Sequence, residues 1–279
     1  MGKKITKNDL YAARIFFNAA LPLLRVVVES RPDLSKLFKG KSFVFQVSAL
    51  YVRAKGGKMA THFVVEDGKF TVKVNEVHLA PDIELEFYNL KDFILFFSGR
   101  GKPLPQIRGA ASHPLIFAAL LRSLLVMAGL LQAQDAPKRL QDQVLLVKLY
   151  FYLLPAGISQ LNKAGHEKIH QWALQSPDRA YAFAVTGYPA LNSYLRVKEG
   201  NSKAGRGEYP RCKPFLTLRF DSPQHALDIL MGKGDMIDYI AQQYLTVEGA
   251  PEFAAIIGDY LFTVGDYAKG LYLDWKETE

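Results

Sequence analysis

Phe215-Leu216-Thr217-Leu218-Arg219-Phe220, followed by Asp221-Ser222-Pro223, is the stretch on which the fold turns. Apolar and polar residues alternate along it, as in a strand with one buried face. Ser222 then caps a helix whose first turn takes Pro223, where the missing N–H is harmless. Pro223, Ala226, Leu227 and Leu230 follow at helical spacing and give that helix one apolar face. A long amphipathic helix carrying Phe253, Ile256, Ile257, Tyr260, Leu261 and Val264 closes the series.

The same series stands about 133 positions earlier. Leu85-Glu86-Phe87 matches Leu218-Arg219-Phe220, and Gly99-Arg100-Gly101 matches Gly232-Lys233-Gly234. Upstream, Leu21-Pro22 matches Leu154-Pro155, and Glu66-Asp67-Gly68 matches Lys198-Glu199-Gly200. The spacing then widens to 140, so that Ile107-Arg108-Gly109-Ala110 falls on Val247-Glu248-Gly249-Ala250 with seven extra residues between landmarks. Five pairs in order mark an internal duplication.

Each copy opens on a helix, Asn8–Ser30 (with Thr6 as cap) and Lys138–Leu153, followed by a short one around Asp33–Phe38 and Ala164–Leu174. Strands are expected at 43–54, 59–65, 70–77 and 83–87 in the first copy. In the second they are expected at 180–186, 193–197, near Glu208 and at 215–220, with Asn201–Gly207 read as a mobile loop. Asp67-Gly68 and Gly56-Gly57 are turn signals. Asn89 occupies the slot of Ser222 and caps a helix with Leu90, Phe93, Ile94 and Phe97 on its apolar face.

At 279 residues, 49% hydrophobic and 22% charged, the chain can bury a substantial core. Its single cysteine, Cys212, rules out an internal disulfide and fits a reducing, cytoplasmic setting. Lys3-Lys4 leads into no compact apolar core with a cleavage site, so no secretory leader is read. The net charge of +8 suits solubility, or transient contact with an anionic membrane surface. Basic residues thicken between Arg196 and Lys213, but no nucleic-acid recognition signature accompanies them. Pro114–Leu131 is apolar except for Arg122 and Ser123. A central arginine costs roughly 2.5–3.5 kcal/mol in a bilayer on insertion scales, which favours a buried helix over a span. Apolar on every side, this helix needs cover on every side.

The order helix, antiparallel strands, short helix, glycine loop, short strand and amphipathic helix resembles the sterol carrier protein type 2 family. The closer match covers Arg179–Leu261, where residues 214–220 are similar to the family's last central strand, Ser222–Leu230 and Gly232 to its short helix and closing glycine, and Tyr244–Gly249 to its edge strand. Residues 43–131 match more loosely. The resemblance implies an α+β fold of two tandem units, 1–133 and 134–279, each a mostly antiparallel five-stranded sheet covered by helices. It further implies non-catalytic binding of a fatty acyl, sterol-like or isoprenoid lipid in an apolar tunnel, without a cofactor. The first copy lacks the seven residues that form the second copy's helix Asp235–Gln243, which helps roof the family's tunnel.

Phenylalanine and methionine suit an apolar lining. Phe93, Phe96, Phe97, Leu120, Leu124 and Met127 are the candidates in the first copy. Leu230, Met231, Ile237, Ile240, Tyr244, Phe253 and Ile257 are those in the second. Plain core packing competes at each of them. Arg122 can meet a ligand carboxylate, or pair with an acid. Two rival functions exist. His166-Glu167-Lys168-Ile169-His170 spells the H-E-x-x-H zinc motif, although Lys168 fits poorly and a third ligand is missing. Alternatively, helix 114–131 is an interface of a scaffold that forms an oligomer.

Overall fold

The computed structural model describes residues 5–274. The leader reading at Met1–Lys4 and the terminal residues 275–279 lie outside them. The chain divides into two compact units: one comprises the residues up to Gly129 together with those from Asp266 on, the other Leu130–Gly265. The expected boundary at 133/134 falls just after the observed cut at 129/130, and the described residues from Asp266 on, expected in the second unit, group with the first.

The first unit opens with α1 (Lys7–Ile15), one π-helical turn (Phe16–Ala20) and α2 (Leu23–Ser30). Thr6 and Asp9 form a reciprocal capping box at 2.8 and 3.1 Å. A continuous helix was expected, and the wide turn has a local cause. Pro22 lacks an N–H and its ring crowds the carbonyl four residues back, so the helix widens just before it and Leu21 N–H bonds Phe16 O at 2.9 Å. After α3 (Pro32–Ser35) come β1 (Phe43–Leu50), β2 (Lys58–Glu66), β3 (Lys69–Val74) and β4 (Ile83–Phe87). Then follow α4 (Leu90–Phe97), β5 (Gln106–Arg108) and α5 (Pro114–Leu131). The sheet order is β3-β2-β1-β4-β5, antiparallel except for the β1–β4 pair. Asp67 and Gly68, both at positive φ, make the two-residue β2–β3 turn.

The second unit has α6 (Leu140–Lys163), α7 (Glu167–Gln175), β6 (Arg179–Val185), β7 (Ser193–Lys198), β8 (Asn201–Arg206) and β9 (Leu216–Phe220). It continues with α8 (Pro223–Leu230), α9 (Met236–Ala241), β10 (Leu245–Gly249) and α10 (Ala254–Ala268), whose last turn belongs to the first unit. Its sheet, β10-β9-β6-β7-β8, repeats the first strand for strand, including the one parallel pair, β6–β9. Glu199-Gly200 repeats the positive-φ hairpin turn. The fold is therefore α+β, with two five-stranded mixed sheets, each helix-covered on one face.

Three local expectations are corrected. Residues 201–206 form the edge strand β8, not a mobile loop. Their β-propensity is low, but the hairpin turn sets the register, and Ser202 is held by Ser159 (Oγ to Oγ, 3.1 Å) and Asn162 (2.8 Å) on α6. Helix α6 runs on to Lys163 with Pro155 inside it, well past the expected end at Leu153. Helix α5 was expected to be buried, yet only 22% of it is, with Leu115, Leu121 and Leu125 exposed. It is one of three described helices long and apolar enough to cross a membrane; the other two, Lys7–Ser30 and Leu140–Lys163, are each 72% buried.

Candidate functional site

Aromatic rings pack against one another on the helix-covered face of the first sheet. Phe17 stacks on Phe93 with centroids 4.0 Å apart, Phe93 meets Phe97 at 4.8 Å, and Phe87 meets Phe96 at 5.3 Å. Phe93 is thus a core residue. Phe97 is half-buried and Phe96 exposed, so α4 presents a graded apolar edge. On α5, Leu120 and Met127 are buried and Leu124 half-buried. Arg122 reaches Asp33 at 2.9 Å, so its charge has a partner in the protein.

In the second unit Ile257 is buried, and Leu230, Met231, Tyr244 and Phe253 are half-buried. Ile237 and Ile240 on α9 are exposed, Ile237 at 76%. Tyr244 stacks on His225 at 3.8 Å. Phe253 joins a group that sequence spacing did not bring together. Arg179 lies over the rings of Phe215 and Phe253 at 4.0 and 4.7 Å, and Trp172 contacts both Tyr181 and Tyr260. Burial pushes the phenols of Tyr181 and Tyr260 above the ordinary tyrosine range. These residues come from α7, β6, the approach to β9, the turn Pro251–Phe253 and α10, so no periodicity links them.

The zinc-like motif does not assemble. His166 is the N-cap residue of α7, with extended backbone, so only His170 lies within the helix, and its Nδ1 sits 2.9 Å from Asn162 Oδ1. Burial, then Lys168, push the His166 pKa down. No group of three metal-ligating side chains occurs among the described residues.

The opposite faces of the two sheets carry polar features. In the first unit Glu84 is buried and accepts hydrogen bonds from Gln46 (2.7 Å), Ser48 (2.7 Å) and Lys58 (2.8 Å). Glu86 pairs with Lys58 at 3.0 Å and Arg108 at 2.8 Å. Burial alone would raise the Glu84 pKa, but the Lys58, Ser48 and Gln46 hydrogen bonds outweigh it and hold the carboxyl below the usual range. Residues 75–82 cover this cluster, His78 N–H donating to Gln46 Oε1 at 2.7 Å. In the second unit the corresponding face holds a cleft of about 270 Å³. Its floor includes Ala182, Ala184 and Thr217, and the segment 207–214 overhangs it.

No family model and no curated protein matches the sequence. Among solved structures, a conserved hypothetical protein of Thermus thermophilus, described as a candidate sterol carrier protein, is 15% identical. It covers 41% of this chain and 82% of its own, with a TM-score of 0.28. A crystal structure of sterol carrier protein 2 is 13% identical over 44% of this chain and 93% of its own, TM-score 0.27. A stereoselective inverting sec-alkylsulfatase of a Pseudomonas species is 12% identical over 55% of this chain, which spans 28% of that enzyme, TM-score 0.27. At these scores, what those proteins bind or transform is no argument about this one.

Proposed function

We propose that the chain holds a hydrophobic molecule (a fatty acyl, sterol-like or isoprenoid lipid) and does not transform it. Helix α5 carries the reading: eighteen residues, all but two apolar, of which only 22% are buried. Exposed Leu115, Leu121 and Leu125 present apolar surface that water penalises by roughly 25 cal/mol per Å², and a lipid tail laid against them removes that penalty. The proposed seat is the layer between sheet and helices. There Phe97 and Leu124 in the first unit, and Leu230, Met231, Tyr244 and Phe253 in the second, are half-buried rather than sealed. Exposed Ile237 and Ile240 on α9 extend the apolar surface of the second seat. The net charge of +8 goes with transient contact at an anionic membrane, and the exposed lone Cys212 with a cytoplasmic setting. Identical strand order and matching positive-φ turns support reading the two units as copies of one ancestral unit.

Native mass spectrometry and solvent extraction of the purified chain test this. A co-purifying acyl or isoprenoid species, or saturable displacement of a fluorescent fatty acid, is the expected result. Failure of both, with a stable dimer that dissociates when Leu124 or Met127 is made charged, would replace the carrier reading with that of a self-associating scaffold.

A further inference from the structure

The two sheets provide an internal control for the cleft. Phe45 pairs with Ile83 in the first unit as Tyr181 pairs with Leu216 in the second. Gln46, Ser48, Glu84 and Glu86 therefore stand where Ala182, Ala184, Thr217 and Arg219 stand. Arg108 opposite Glu84 corresponds to Glu248 opposite Thr217. The outer ion pair is kept with its charges exchanged: Arg108–Glu86 at 2.8 Å, Arg219–Glu248 at 2.6 Å. What changes is the floor. Three long or polar side chains that fill the space in the first unit become two alanines and a threonine, and the cleft of about 270 Å³ lies there.

The walls are chemically specific. Asn192, 9% exposed, lines the cleft; its Nδ2 donates to Glu208, while its Oδ1 is buried with no hydrogen-bond partner among the described residues. A buried carbonyl oxygen without a donor costs about as much as a lost hydrogen bond. Lys213 and Glu208, both in the overhanging segment, form no ion pair among the described residues, whereas Arg219 and Glu248 satisfy each other.

We propose that this cleft binds a small zwitterion, its ammonium donating to Asn192 Oδ1 beside Glu208 and its carboxylate or phosphate facing Lys213. The volume is just under the ~300–1,000 Å³ of drug-sized ligand pockets, which suits such a molecule. The site is separate from the apolar layer and does not depend on the lipid reading.

Amide chemical shifts of the full chain, titrated with O-phosphoethanolamine, L-serine and inorganic phosphate, test it. At least one zwitterion is expected to shift Ala182, Ala184, Asn192 and Thr217 saturably, and more tightly than phosphate. Ala182→Gln, which restores the side chain the first unit carries there, is expected to abolish the shifts while the first unit's amides stay in place. The exposed Lys213→Gln is expected to weaken binding about fivefold or more. No shift with either zwitterion, shifts indifferent to Ala182→Gln, or phosphate binding as well as phosphoethanolamine would each overturn the proposal. Phosphatidylcholine vesicles with and without phosphatidylethanolamine separate the sources. Retention only on the latter lipid identifies a headgroup, and binding of the free compound alone identifies a soluble zwitterion.

Discussion

A Cβ added at Gly109 would lie 1.8 Å from the Asp82 carbonyl oxygen, and one at Gly249 would lie 2.2 Å from that of Phe215. Both glycines close the short edge strand of their sheet and sit at φ +76 and +99, where L side chains are strained. Gly109→Ala or Gly249→Ala is expected to cost at least about 1–3 kcal/mol, read as a lower urea midpoint at unchanged slope. Glu84 makes a second prediction. Its folded-state pKa lies below the ordinary carboxylate value, so its contribution to stability is present above that value and fades as pH falls through its own. Melting temperature should therefore drop with acidification in this range, and Glu84→Gln should flatten that slope. Lys58→Met, which takes the nearer cation from buried Glu84 and leaves it only Arg108 at 3.7 Å, should cost about 3 kcal/mol at neutral pH by urea denaturation.

At the scale of elements, α5 separates packing from function. Leu125 is 63% exposed, so Leu125→Glu should leave stability within about 0.5 kcal/mol by thermal melting. The same change should weaken binding of a fluorescent fatty acid several-fold if the lipid reading holds. Helix α6 is constrained oppositely: a Cβ at Gly157 would come within 2.3 Å of Val264 on α10. Gly157→Leu should destabilise the second unit by about 1–3 kcal/mol through overpacking, seen as lost hydrogen-exchange protection in α6 and α10. The caps Thr6, Asn89 and Ser222 were legible in sequence because a cap is a local bond between residues three apart. Strand β8 was not, since Ser202 owes its place to Ser159 and Asn162 some forty positions away.

For the whole chain, the division into units differs from a simple cut at mid-sequence. Tyr267 Oη donates to Asn8 Oδ1 at 2.8 Å and Tyr272 Oη to Asp9 Oδ1 at 3.1 Å, tying the last described residues into the first unit. Burial pushes both phenols above the ordinary tyrosine range. Truncation after Gly265 should lower the first unit's stability by about 1–3 kcal/mol per lost donor, with hydrogen exchange in the second unit less affected. Order of elements, turn positions and the likeness of the two halves were readable because apolar periodicity, glycine and capping chemistry act over a few residues. Which of the candidate apolar residues are sealed, as Phe93 and Ile257 are, and which stand in water, as Ile237 does, was decided only by packing. So was the cleft on the second sheet's outer face, because a cavity exists only where residues distant in sequence fail to fill the space they share.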